Sequence, residues 1–378
     1  MKAEIRVEDL RSEATSHGCR YSCRVKGLGD EKELFFLVES DEGHRPVENA
    51  DWAVLGLLLP AMRSGRSLVI EGSVSPLLLH SLSHDGQLLL QNFDPSLQKI
   101  VIQAETRLVT ERNNSANLRV GTGFSAGVDS FATVQSYGPE SRLPITDIFT
   151  FNVGAIGGGR GNNTMRAFGL ITDRAREFAE LSGLHVHMVD SNVQVFYTGE
   201  NGLEFPKTHS LRNAAAASLF AGQLDVYLYS STFSYRELNL TAAYDLAHIE
   251  PLLLPLLSTE KLCFVSACAG IDRVEKTRLI TQNATAQHML DVCVSPTAKR
   301  AEAIKNRLNC SECWKCHRTM LTLDAIGSLD KFSSVFDLSR YRQNETEIAE
   351  RIKRRGEKGS AADRSAYEAY AAAKGVPA

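Results

Sequence analysis

The residues Phe124-Ser125-Ala126-Gly127-Val128-Asp129-Ser130 have the types and spacing to hold a phosphate chain. Small residues let backbone amides approach phosphate oxygens, and the hydroxyls of Ser125 and Ser130 can donate further hydrogen bonds. The run from Phe131 to Ser136 can begin a helix, whose N-terminus adds positive partial charge. A carboxylate beside phosphates is explained if a divalent cation bridges the two, so Asp129 predicts Mg2+ together with ATP. A bare Ser-x-Gly-x-Asp-Ser string also fits a capped β-α turn, so the surrounding residues must decide.

The second group is Cys310-Ser-Glu-Cys313-Trp-Lys-Cys316, which presents three thiolates on one tight loop. Tetrahedral Zn2+ requires four ligands. Cys293, at the end of the apolar run from His288, is the expected fourth ligand, with His317, next to Cys316, as its competitor for that position. With four protein ligands the zinc would have no open position and would serve as a structural knot. An iron-sulfur cluster or a redox pair is the other use of such cysteines. Cys19, Cys23, Cys263 and Cys268 read as ordinary thiols.

The elements that position these groups follow from the apolar pattern. Strand-like runs at Leu118–Phe124, Asp147–Val153, His185–Val189, Asp225–Ser230 and Leu262–Ser266 alternate with helical patterns at Arg166–Ser182 and Leu211–Gly222. Such β-α-β alternation predicts a mostly parallel sheet with helices on both faces. The polar segment Thr110–Asn117 is rich in turn formers and reads as a boundary. Before it, Leu34–Val38, Ser67–Glu71, Lys99–Gln103 and a helical stretch from Asp51 to Met62 suggest a small α/β domain over 1–117 with no catalytic signature. After about Phe336 the chain is charged and alanine-rich, consistent with exposed helix over 336–378. The one low-complexity stretch is the glycine cluster Gly157-Gly-Gly-Arg-Gly161.

Bulk properties narrow the classes. With 378 residues and 43% hydrophobic content the chain can bury a large core. Its net charge of -3 gives no global reason to expect nucleic acid or an anionic membrane. No apolar run approaches the roughly 20 residues that a bilayer span needs, and charges occupy the N-terminus where a signal peptide has its apolar block. Cysteines clustered for metal point to a reducing compartment, so a cytoplasmic protein is expected. A homo-oligomer is also expected.

The stretch Ser125–Ser130 resembles the PP-loop signature Ser-Gly-Gly-x-Asp-Ser of N-type ATP pyrophosphatases, and the arrangement downstream resembles the QueC-like 7-cyano-7-deazaguanine synthase family. Ala126 stands where the family has glycine, and alanine fits there without strain at a negative φ. Phe151-Asn-Val-Gly154 falls where the family has a strand ending in Tyr-Gly-Gln-x-His, which is replaced here by the glycine cluster. Arg212-Asn213 matches the family's Arg-Asn, where an arginine at a helix start can meet phosphate or carboxylate bidentately. Ile271-Asp-Arg-Val-Glu-Lys-Thr277 matches an Asp-Lys-x-Glu segment, with Arg273 at the lysine position and Lys276 as a second cation for ATP phosphates. Cys293 matches the first cysteine of the family's four.

The resemblance implies a Rossmann-like, adenine nucleotide alpha hydrolase-like domain over 118–335 with a C-terminal zinc knot. It implies nucleotide contacts from Phe124 to Ser130, Asn152 and Asn213, and catalytic roles for Asp129, Arg212, Arg273 and Lys276. The implied reaction is adenylation of a carboxylate, 7-carboxy-7-deazaguanine or a related acid, with release of pyrophosphate and then attack by ammonia. The additional N-terminal region and the altered strand end favour another acceptor, such as an amine of a partner protein, and QueC-like members occur in antiviral operons. Ser231-Thr-Phe-Ser-Tyr235 follows a strand on the ligand side of such a sheet and can line the acceptor pocket. Two other readings stand beside this one: a tRNA-thiolating PP-loop enzyme, and a non-catalytic nucleotide-binding protein.

Overall fold

The alternation after residue 118 folds as a doubly wound half. Its five strands are β6 (Val120–Gly123), β7 (Asp147–Asn152), β8 (His185–Ser191), β9 (Val226–Ser230) and β10 (Cys263–Ala267). They lie in the order β10-β9-β6-β7-β8, and all neighbouring pairs are parallel. Nearly every residue of β7 is buried, as expected for a parallel strand covered on both faces. This is a computed structural model, and it describes residues 4–109, 118–156, 161–199, 202–294 and 309–377. The expected boundary at Thr110–Asn117 and most of the glycine cluster, 157–160, lie outside the described residues.

The first five strands extend the same sheet. They are β1 (Ile5–Thr15), β2 (Gly18–Lys26), β3 (Lys32–Ser40), β4 (Leu68–Val74) and β5 (Ile102–Thr106), and β3 pairs antiparallel with β8. Leu34, Phe36 and Val38 alternate inward along β3 with a period of two, so one face enters the core. In this N-terminal part the helices are α1 (Asp51–Ser64), α2 (Pro76–Ser83) and α3 (Asp85–Phe93). Helix α1 is apolar all round, from Trp52 to Met62, and is buried accordingly.

The remaining helices are α4 (Val128–Ser136), α5 (Asn162–Ser182), α6 (His209–Ser218), α7 (Glu250–Leu256), α8 (Arg273–Ile280), α9 (Ala284–Met289), α10 (Trp314–Ala325), α11 (Leu338–Gln343), α12 (Glu345–Glu357) and α13 (Ala361–Lys374). Helices α6 and α7 join α1 in one core, which holds Leu57, Phe149, Leu211, Tyr227 and Leu254. Helices α4, α5, α8, α10 and α13 fill the other, which holds Phe124, Phe131, Phe178, Ile280, Met320 and Tyr370. The described residues before 110 and the half that begins at 118 therefore share one sheet and the core around α1. The charged C-terminal helices pack onto the body, with α13 against α8, α10 and α12.

An ion network joins the two halves at the amino-terminal end of the parallel strands. Arg119 bridges Asp147 and Glu42, with Nε 2.9 Å from Asp147 Oδ2 and Nη1 3.2 Å from Glu42 Oε2. His187 Nε2 lies 2.7 Å from Asp147 Oδ1. Burial pushes the Asp147 pKa up, but hydrogen bonds from His187, Arg119 and Thr146 overcome it and bring it down to about 2. With the folded value below the unfolded one, the network's contribution is complete above about pH 4 and is lost as pH falls toward 2, an effect of about 2 kcal/mol. Urea midpoints measured across that window should fall more steeply for the native chain than for Asp147→Asn. Parallel curves would exclude this role.

Candidate functional site: a phosphate loop beside a cysteine knot

The loop after β6 is anchored by its first residue. Phe124 N donates to Phe149 O at 2.8 Å, and its ring stacks on Phe178 with centroids 4.3 Å apart. The chain turns sharply at Ala126, whose φ is +57°, outside the negative range in which alanine would sit without strain. The turn needs a left-handed residue, which explains why glycine suits it, and alanine there costs on the order of 1 kcal/mol. Gly127 is extended and precedes α4, and no side chain caps that helix. The N–H groups of Val128, Asp129 and Ser130 are therefore presented at the first turn, in the arrangement that binds anions. Ser130 Oγ donates to Gly127 O at 3.0 Å, closing the loop from within.

Two cations converge on this loop from α8. Arg273 Nη2 lies 2.9 Å and Lys276 Nζ 3.6 Å from the carboxylate of Asp129. A capping box of Asp272 and Glu275 fixes the start of α8 and so aims both side chains. Lys276 is fully buried and donates to Ser231 O at 2.6 Å and Ser231 Oγ at 3.1 Å. Burial holds its ammonium below the usual lysine range, opposed by Asp129 and assisted by Arg273. Ser231 follows β9, so the group lies beyond the carboxyl ends of β6 and β9. This is where the strand order reverses and where doubly wound sheets bind ligands.

Arg212, Asn213 and Asn152 each hold partners of their own. Arg212 is buried, with nitrogens 3.3 Å from Val153 O and 3.4 Å from Leu203 O and its guanidinium 3.9 Å from the Tyr197 ring centre. Burial draws its pKa down to about 10, partly opposed by Tyr197. Asn213 donates to Tyr229 Oη at 2.9 Å, and Asn152 to Asp190 Oδ1 at 2.7 Å. The first turn of α6 faces the core shared with α1, which directs Arg212 inward.

The same turn forms a cluster absent from the sequence-derived site. His209 lies 2.8 Å from Tyr229 Oη and 3.0 Å from Asp245, and Ser210 donates to the fully buried Glu250 at 2.6 Å. Burial works against the His209 imidazolium, but Asp245 and Glu250 outweigh it and raise its pKa. Only the pairing of a helix-start histidine with acids some 40 residues later could have marked it, and that spacing carries no periodic signal. In the segment read as acceptor lining, Phe233 stacks on His248 with centroids 4.4 Å apart and Tyr235 is exposed.

The cysteines form a single group. The sulfurs of Cys293, Cys310, Cys313 and Cys316 all lie within 4.8 Å of one another, so Cys293 and not His317 completes the set. Cys316 Sγ is 3.7 Å from Cys310 Sγ and 3.4 Å from Cys313 Sγ. Zn–S bonds of about 2.3 Å in a tetrahedron require sulfurs about 3.8 Å apart, so the set fits zinc. Ser311 turns the knuckle at a φ of +56°, and Glu312 N and Cys313 N donate to Cys310 Sγ at 3.4 and 3.3 Å. The knot is tied to the loop after β6, since Asp291 N, two residues before Cys293, donates to Ala126 O at 2.7 Å.

Glu42, Asp147 and His187 also bring possible ligand atoms within 4.8 Å of one another. Arg119 bridges the two carboxylates and supplies the positive charge that a metal ion would bring. No helix among the described residues is long and apolar enough to cross a membrane. Comparison of the chain with family models, with curated proteins and with solved structures finds no match.

Proposed function

We propose that the chain is a QueC-like, ATP-dependent enzyme that adenylates a carboxylate and joins the acyl group to a nitrogen nucleophile. The observation that carries this reading is the uncapped N-terminus of α4 facing Asp129, Arg273 and Lys276 at the switch point of the sheet. Backbone amides and two cations can hold the β- and γ-phosphates, leaving the α-phosphorus open to a carboxylate oxygen. That oxygen bonds to the α-phosphorus as the bond to pyrophosphate breaks. The nitrogen then attacks the acyl carbon, AMP leaves, and the nitrogen loses a proton. Asp129 is already engaged by two cations, so Mg2+ would arrive with the nucleotide, where it neutralises phosphate charge.

The acid in this reading is 7-carboxy-7-deazaguanine or a relative, and the acceptor is ammonia or an amine of a partner macromolecule. Convergence of all four cysteines leaves none of them for sulfur transfer, which weighs against tRNA thiolation. The test is pyrophosphate release from Mg-ATP with 7-carboxy-7-deazaguanine, with and without ammonia. Release that depends on the acid is expected. Efficient nitrile formation would assign the ordinary synthase reaction, and ATP binding without release for any acid would leave a non-catalytic nucleotide-binding protein.

A further inference from the structure

The switch point of the sheet has a second wall. In the sheet β6 lies between β9 and β7, and the loop after β6 meets α4 and α8 on one face. On the other face the first turn of α6 touches the carboxyl ends of both flanking strands. Arg212 Nη1 lies 3.3 Å from Val153 O, just past β7, and His209 Nδ1 lies 2.8 Å from Tyr229 Oη near the end of β9. Tyr229 is two residues before Ser231, which accepts from Lys276, so at most about 7 Å of chain separates the contact points of the two walls.

Asp245 is the open member of the His209 cluster. Its Oδ1 lies 3.0 Å from His209 Nε2 and accepts from Ala247 N at 3.0 Å, and its side chain is 31% exposed, against 12% for His209 and none for Glu250. Burial pushes the Asp245 pKa up, but hydrogen bonds from His209 and Ala247 outweigh it and keep the carboxyl below its usual range. Glu250 Oε1 accepts from Ser210 at 2.6 Å, whereas its buried Oε2 has no hydrogen-bond partner. Two carboxyl groups with an acceptor position to spare suit a ligand rich in N–H donors, and an ammonium supplies three. The connection from β9 to α7, which bears Asp245, is pinned by Tyr235 N donating to Ala269 O at 2.7 Å and by a capping box of Ser234 and Glu237. It holds Tyr235, Leu238, Leu240 and Tyr244 exposed. Apolar side chains fixed in water on the loop that bears the carboxylate fit contact with a polypeptide better than with free ammonia.

We propose that Asp245 is the acceptor site, binding the nitrogen nucleophile as the ammonium of a polypeptide amine, a lysine side chain or a chain end, with His209 as the positioning residue that fixes the carboxylate. The ammonium sheds one proton to water, and its nitrogen bonds to the acyl carbon. The bond from that carbon to the AMP oxygen breaks, the electron pair leaves with AMP, and the nitrogen loses a second proton to water. This inference rests on the acyl-adenylate reading above and names the class of its acceptor.

The test gives the full chain Mg-ATP, 7-carboxy-7-deazaguanine and one of three amines at fixed ionic strength: n-butylamine for a lysine side chain, glycinamide for a chain end, or ammonium chloride. Amide should form at lower concentrations of n-butylamine or glycinamide than of ammonia, and the better of the two tells which source the site prefers. Asp245→Asn should raise the KM for that amine about 10- to 100-fold, the range for loss of one charge-assisted contact. In His209→Gln the carboxyl loses the hydrogen bond that holds its pKa down, so the rise of amine KM on acidification should begin at a higher pH than in the native chain. Glu250 on α7, Tyr229 on β9, Arg212 on α6, and His248 and Tyr244 on the connection itself also face this pair, and all remain in that variant. A merely structural histidine would leave the pH of onset where it was. On the native chain alone, n-butylammonium chloride should shift the 15N signals of the His209 ring, and sodium chloride should not. No such shift, or a native amine KM in an Asp245→Asn chain that still releases pyrophosphate, would overturn the inference and leave the adenylation reading intact. No acid-dependent pyrophosphate release from the native chain would refute the adenylation reading, and the acceptor assignment with it.

Discussion

Cys313→Ser is expected to remove the bound metal and loosen the whole C-terminal lobe, lowering stability by about 4 kcal/mol or more. Cys313 is both a member of the four-sulfur group and the N-cap of α10. Helix α10 in turn packs on α8, α12 and α13, so its start is the fixed point for much of the second core. Cys293 and Cys316 are buried in that core, so without the metal their sulfurs are left crowded and desolvated. Metal analysis should find one zinc per native chain and none in the variant, and thermal unfolding should show the lobe melting first. A variant that keeps its metal and its melting temperature would show that the four cysteines do not form a structural site.

Asp129→Ala is expected to lower pyrophosphate release at least about 100-fold, the scale for removing one transition-state contact. The reason is a change of partners. In the chain alone, Asp129 neutralises Arg273 and Lys276; once phosphates take those cations, it is free to meet the divalent ion that accompanies them. Removing the carboxylate also leaves Lys276 fully buried with no acid opposite it, a cost of about 1 kcal/mol given that Asp129 is partly solvated. Metal-free pyrophosphate, which competes with Asp129 for the same cations, should bind Asp129→Ala as tightly as the native chain or more tightly. Turnover at the native rate would place the phosphate site elsewhere, and weaker binding of metal-free pyrophosphate would show that Asp129 does not compete.

Much of the core architecture was legible because its signals are local. The apolar runs at Asp147, His185, Asp225 and Leu262 became β7 to β10 almost residue for residue, because a strand buried on both faces must be apolar throughout. The strands β1 and β2 escaped because they are highly charged, with Arg20 on Glu33 and Lys26 on Glu8 at the surface. Their signal was present in Cys19, Tyr21, Cys23 and Val25, which alternate inward along β2. Strand β5 begins at Ile102, three residues past the start of the predicted run, since the Gln87 side chain instead takes up the backbone of Ile100.

The candidate site divides along the same line. By itself the sequence marked out the candidate loop Ser125–Ser130 and three of the four clustered cysteines, because each set lies on one short stretch of chain. Only the tertiary structure decided that Asp129 meets Arg273 and Lys276 from 144 and 147 positions away, that Cys293 and not His317 joins the knot, and that Ala126 takes a left-handed turn. It also turned Arg212 into the core and built the His209 cluster. These outcomes depend on strand order and on which face of a helix meets the sheet. Both are fixed by burial against residues far away in the chain, which residue type and spacing do not encode one stretch at a time.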